Sequence, residues 1–95
     1  MATFIMFGKY SSESLKGISE DRTNQSRKLI ERFKGKLNSI YVMLGEYDLM
    51  FITEFPGMEE AMMASVMLNK LSGISFSTSP AVPVDKFDKI TADMD

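Results

Sequence analysis

Three short segments of this chain are apolar at both odd and even positions: TFIMFGKY (Thr3 to Tyr10), KLNSIYVML (Lys36 to Leu44) and DLMFITEF (Asp48 to Phe55). Their aromatic and β-branched content reads as β-strand. Successive side chains of a strand point to opposite faces of a sheet. The first segment sets Phe4 and Met6 against Ile5 and Phe7. The second sets Leu37, Tyr41 and Met43 against Ile40, Val42 and Leu44, and the third sets Leu49, Phe51 and Phe55 against Met50 and Ile52. A sheet built from them therefore needs apolar cover on both faces.

The rest of the chain offers cover for one. Ser11 to Gly35 reads as helix: hydroxyl residues and Glu13 at its start, Leu15, Ile18, Leu29, Ile30 and Phe33 at helical spacing, and Gly35 at its end. Arg22 and Ser26 fill the middle of that stripe, and Gly17 weakens the helix. A bend, or a division into two helical pieces, is expected near Ile18 to Asn24. Met58 to Leu71 is a second helix, with Glu59 and Glu60 in its positive first turn and Ala61, Met62, Ser65, Leu68 and Leu71 or Ser72 as its inner stripe. Ile74 to Val84 is a fourth extended segment whose later half, with Pro80 and Pro83, must be an edge or a free arm. Asp85 to Ala92 reads as one short helical turn anchored by Phe87 and Ile90.

The order β-α-β-β-α-β is the split βαβ or ferredoxin-like arrangement, an α+β fold in which right-handed crossovers put both helices on one face of a four-stranded antiparallel sheet. A single domain over residues 1–95 is expected, with 80–95 as a C-terminal arm. Two helices cannot cover two faces, and an exposed apolar face of that size is unusual on a monomer. The simplest cover is a second copy, sheet to sheet, in an isologous homodimer.

Composition removes whole classes of chemistry. The 95 residues contain no Cys and no His, so thiolate nucleophiles, Cys/His zinc sites and Ser–His triads are excluded within the chain. A net charge of −2 gives no electrostatic footprint for nucleic acid or an anionic membrane. Neither a secretory leader nor an apolar run of membrane-spanning length is visible, so a cytoplasmic location is expected. Glu13, Glu20 and Asp21 read as a solvated acidic face, and neither a metal site nor a cofactor is expected.

The Gly45-Glu46-Tyr47-Asp48 turn between the second and third strands, with Thr3-Phe4-Ile5-Met6 and Lys9-Tyr10, resembles the GYD-domain family, named for a Gly-Tyr-Asp signature matched by Gly45, Tyr47 and Asp48. The resemblance runs from about Thr3 to about Ser79 and leaves the tail from Pro80 outside. It implies a ferredoxin-like subunit of the dimeric α/β-barrel type. The superfamily includes cofactor-independent monooxygenases, isomerases, haem enzymes and amino-acid-binding regulatory domains. Those of Lrp/AsnC-type regulators carry a similar Gly-x-Tyr-Asp turn.

Tyr10, Tyr41, Tyr47, Asp48 and Lys9 are the candidate ligand-binding residues. Each also has a structural reading: Gly45 supplies a turn, Asp48 accepts backbone N–H bonds, Tyr47 packs with its hydroxyl wet, Lys9 and Tyr10 sit at a rim, and Tyr41 is a core aromatic. Glu54 reads as solvated at its strand's end. Met62, Met63 and Met67 suit an adaptable pocket or an irregular core. The leading reading is a homodimer that binds a small apolar or aromatic molecule. The alternatives are a cofactor-independent monooxygenase- or isomerase-like enzyme, and a regulatory or structural dimerisation module; whether the chain is a catalyst is left open.

Overall fold

Both faces of the strands are apolar, and the helices take one of them. A computed structural model describes residues 1–94. Strands β1 (Ala2–Lys9), β2 (Lys36–Val42), β3 (Leu49–Phe55) and β4 (Ser75–Ala81) form one antiparallel sheet in the order β2-β3-β1-β4. Helices α1 (Ser12–Lys16) and α2 (Glu20–Arg32) precede β2, α3 (Met58–Ser72) precedes β4, and α4 (Val84–Ala92) follows it. The expected split βαβ order is present, with the first helix in two pieces, α1 and α2, and α4 where a short terminal turn was expected.

Phe4 and Met6 of β1, Leu49, Phe51 and Phe55 of β3, and Leu37 of β2 are buried beneath Leu29 and Ile30 of α2 and Ala61, Ala64 and Leu68 of α3. Thr53 is buried among them, and its hydroxyl donates to the Phe4 carbonyl at 2.9 Å. The alternate residues Ile5, Phe7, Met50 and Ile52 form the other face of the sheet; among the described residues no helix covers them, and they are half-buried.

Several local expectations change. A β-bulge at Asn38 shifts the register between Leu37 and Ser39, so Leu37 shares its face with Ile40 and Val42, and Tyr41 takes the other. Strict alternation had set Leu37 with Tyr41. The β2–β3 connection is longer than three residues: β2 stops at Val42, and the Met43 N–H donates to the Asp48 carbonyl at 2.8 Å. Gly45 takes the positive φ expected of it, +145°.

The helix break falls at Gly17-Ile18-Ser19, the near end of the expected window. Ser11 caps α1 in a reciprocal capping box with Ser14, and Ser19 caps α2 through the Arg22 N–H. Leu15 and Ile18 are exposed instead of facing the core. In α3 the inner stripe is Ala61, Ala64 and Leu68, and Met62 and Leu71 face outward. The terminal helix is longer than one turn, and Phe87 and Ile90 are exposed.

Candidate functional site

Polar residues at inward positions of a helix prevent close packing, and α2 has them. Ser26 is buried and donates from its hydroxyl to the Arg22 carbonyl at 3.0 Å. Where larger apolar side chains would have met the sheet, α2 leaves a partly enclosed cavity of about 120 Å³. Its floor is Ile40, Leu49, Phe51 and Ile74, and its polar side is Ser19, Arg22, Thr23 and Tyr10.

The strand end and the turn hold this mouth in place. The Tyr10 N–H donates to Asp48 Oδ2 at 2.9 Å, and the Asp48 N–H donates to the Gly8 carbonyl at 2.9 Å, so the turn is locked to the end of β1. Lys9 Nζ donates to the Glu46 carbonyl at 3.1 Å. The Arg22 guanidinium lies 5.8 Å from the centre of the Tyr10 ring, a cation–π distance, and donates to the Ser14 carbonyl. Arg22 thereby joins the start of α2, the end of α1 and the strand end.

The sequence-predicted residues divide between two places. Tyr10 lines the cavity, and Asp48 and Lys9 bind the turn beside it. Tyr47 stacks on Phe7 with ring centres 5.2 Å apart, on the uncovered face. Tyr41 is not a core aromatic: it is 54% exposed and pairs with Met50 on that same face. Its displacement from the cavity follows from the bulge at Asn38. Glu54 also lies on that side, where Oε2 accepts from Asn38 Nδ2 at 3.0 Å. Sequence reasoning missed Arg22, Ser19 and Thr23 as lining residues, although Arg22 and Ser26 interrupting the apolar stripe were the available signal.

Among the described residues no group of three or more Asp or Glu is placed to hold a metal ion, and no helix is long and apolar enough to cross a membrane. A second concavity, an open groove of about 430 Å³ on the outer side of the helices, is lined by Phe33, Met62, Met63, Val66 and Met67.

The family model for the GYD domain matches residues 4–91. The chain belongs to the GYD-domain family. The match takes in the tail from Pro80 through most of α4, which the resemblance drawn from the turn had left out. No curated protein is a significant match. Among solved structures the chain is similar to the leucine response regulatory protein LrpA of Mycobacterium tuberculosis, with a TM-score of 0.58 at 6% identity. The likeness covers 86% of this chain and 51% of that one, so the chain spans about half the length of its structural neighbour. At that identity the likeness is one of fold, and it supports the ferredoxin-like α+β assignment.

Proposed function

We propose that this GYD-domain chain is the subunit of a homodimeric α/β protein that binds a small, largely apolar molecule between α2 and the sheet. The observation that carries the binding reading is the cavity of about 120 Å³, with an apolar floor and a polar lip formed by Tyr10 and Arg22. A dry engineered cavity of about 150 Å³ holds benzene. The ligand is therefore of that size or smaller, with its polar group toward Arg22. Drug-sized ligands need about 300 Å³ or more.

NMR titration with benzene-sized aromatics and short aliphatic acids tests this reading. Saturable shifts of the Leu49, Ile40 and Ile74 methyl groups, lost in Ser26→Leu with the rest of the spectrum retained, are expected. Unmoved methyl signals at millimolar ligand would overturn it.

Enzyme chemistry is the second reading. Tyr10 is the proton-handling side chain at the lip, which is supported by position alone, so binding is preferred. The homodimer is carried by a separate observation, the uncovered apolar face of β1 and β3, and is tested by sedimentation at micromolar concentration. A regulatory role is suggested by fold likeness to a leucine response regulatory protein and would act through the same dimer.

A further inference from the structure

We propose that the cavity between α2 and the sheet selects a small monocarboxylic acid and rejects the corresponding amino acid. The inference rests on the binding reading and names its ligand class. Arg22 is the one charged residue among those that line the cavity, and the lining contains neither Asp nor Glu. The floor of Ile40, Leu49, Phe51 and Ile74 offers a ligand no side-chain hydrogen bond. The buried end of the ligand is therefore apolar, and its charged end lies at the lip. Benzene, with six carbons, occupies a cavity of about 150 Å³, so a tail of about five carbons suits this one.

Arg22 is held in position for an anion. It is half-buried, its Nη1 donates to the carbonyl of buried Ser14, and its guanidinium lies 5.8 Å from the centre of the Tyr10 ring. Gly17 leaves room for it: a Cβ there would stand 2.9 Å from Arg22 Nη1. Both contacts are to neutral groups. A guanidinium has five N–H donors, and the bond to Ser14 uses one of them. The remaining fork matches a carboxylate bidentately. The neighbouring hydroxyls suit the same group. Ser19 Oγ accepts from the Arg22 N–H at 3.0 Å, which leaves its O–H to donate, and Tyr10 adds a phenolic O–H. An ionised carboxylate only accepts hydrogen bonds, so it answers a lip made of donors.

An ammonium on the carbon next to that carboxylate would lie beside Arg22, a like charge, with no carboxylate in the lining to meet it. Asp48 does not line the cavity, and its Oδ2 accepts from the Tyr10 N–H at 2.9 Å. Glu20 and Asp21, in the first turn of α2, are exposed and outside the lining, and Asp21 Oδ2 accepts from Gln25 Nε2.

Isocaproate, isocaproamide and leucine share one branched carbon skeleton and differ in charge, so titration of the three into the full chain isolates the carboxylate and the ammonium. Read from the Ile40, Leu49 and Ile74 methyl signals, isocaproate is expected to bind at least tenfold tighter than either of the others. Its affinity should fall roughly threefold or more between 0.05 and 0.5 M salt, while that of the amide stays constant. Arg22→Gln should bring the acid down to the affinity of the amide, and Arg22→Lys should recover part of the loss. Gly17 does not line the cavity, and Gly17→Ala, by displacing the guanidinium, should weaken the acid more than the amide. Equal affinities for acid and amide, or leucine binding as tightly as the acid, overturn the proposal and leave the binding reading standing. Equal losses of acid and amide in Arg22→Gln assign Arg22 to bracing α1 against α2 and overturn it as well. Methyl signals that move with benzene and with none of the three sink the acid alone, and signals that benzene also leaves unmoved sink the binding reading.

Discussion

Two adjacent residues at the end of α2 have opposite demands. Lys34 is the sole non-glycine among the described residues with positive φ, 65°. Its N–H donates to the Glu31 carbonyl at 2.9 Å, and the Gly35 N–H donates to the Ile30 carbonyl at 3.0 Å, which is a Schellman closure with a lysine at the left-handed position. Gly35 stands one residue late for that role and is there for space: a Cβ on it would collide with the Phe55 ring and come within 3.0 Å of the Glu54 carbonyl. Lys34→Gly should therefore stabilise the fold by about 0.5–1 kcal/mol. Gly35→Ala should destabilise it by about 1–3 kcal/mol through overpacking. Denaturant midpoints measured on the two variants check both, and midpoints moving the same way would refute this account. At the signature turn, Asp48→Ala removes the acceptor of the Tyr10 N–H and should cost about 1–2 kcal/mol, with Asp48→Asn recovering part of it. Amide exchange at Tyr10 should rise in Asp48→Ala, and its staying slow would show that the bond is unimportant.

At the scale of elements, the helix break tests local against tertiary control. Ser19 accepts from the Arg22 N–H at 3.0 Å and starts α2, with Glu20 and Asp21 in the first turn. Ser19→Ala should cost about 1 kcal/mol and disturb the Tyr10–Arg22 lip, read as a lower melting temperature and shifted Tyr10 ring signals. Unchanged values of both would mean that packing alone fixes the break. The strand pattern, the Ser11 cap and Gly45 were legible in the sequence because each is a local preference that tertiary structure left in force, whereas the Ser19 cap was not read. Three further features were not legible. The bulge at Asn38 adds a residue to one strand, which no periodicity in β2 announces, and it moved Tyr41 from the helix face to the open one. The phase of α3 depends on which helix face needs small residues, and Ala61 and Ala64 won over the larger Met62. The cavity exists because Arg22 and Ser26 interrupt an apolar stripe. That was visible as a weakness, and its meaning as a binding lip became clear only once Tyr10 lay beside it.

At the scale of the molecule, the open sheet face is the surface on which the proposed dimer rests. β1 and β3 are its central strands, and Ile5 pairs with Ile52 near the middle of both. The edge strand β4 presents Ser75, Ser77 and Ser79 on that side, in register with Lys9, Phe7 and Ile5, so an apolar centre is flanked by small polar residues. Such an arrangement suits close approach of a second sheet at about 10 Å, and in the proposed dimer apolar burial at roughly 25 cal/mol per Å² would make its centre the main source of affinity. Charge contributes little there, so association should change only slightly between 0.05 and 0.5 M salt, a range across which exposed ion pairs are strongly screened. In an isologous contact each substitution occurs twice. Ile52→Glu therefore brings two carboxylates into a desolvated centre at a cost of several kcal/mol, enough to dissociate a micromolar dimer. The core beneath is untouched, because Ile52 points away from α2 and α3. Sedimentation should find a folded monomer whose melting temperature no longer rises with protein concentration, whereas that of the wild type does. A variant that stays dimeric would place the contact on another surface and leave Ile5, Phe7 and Met50 unexplained.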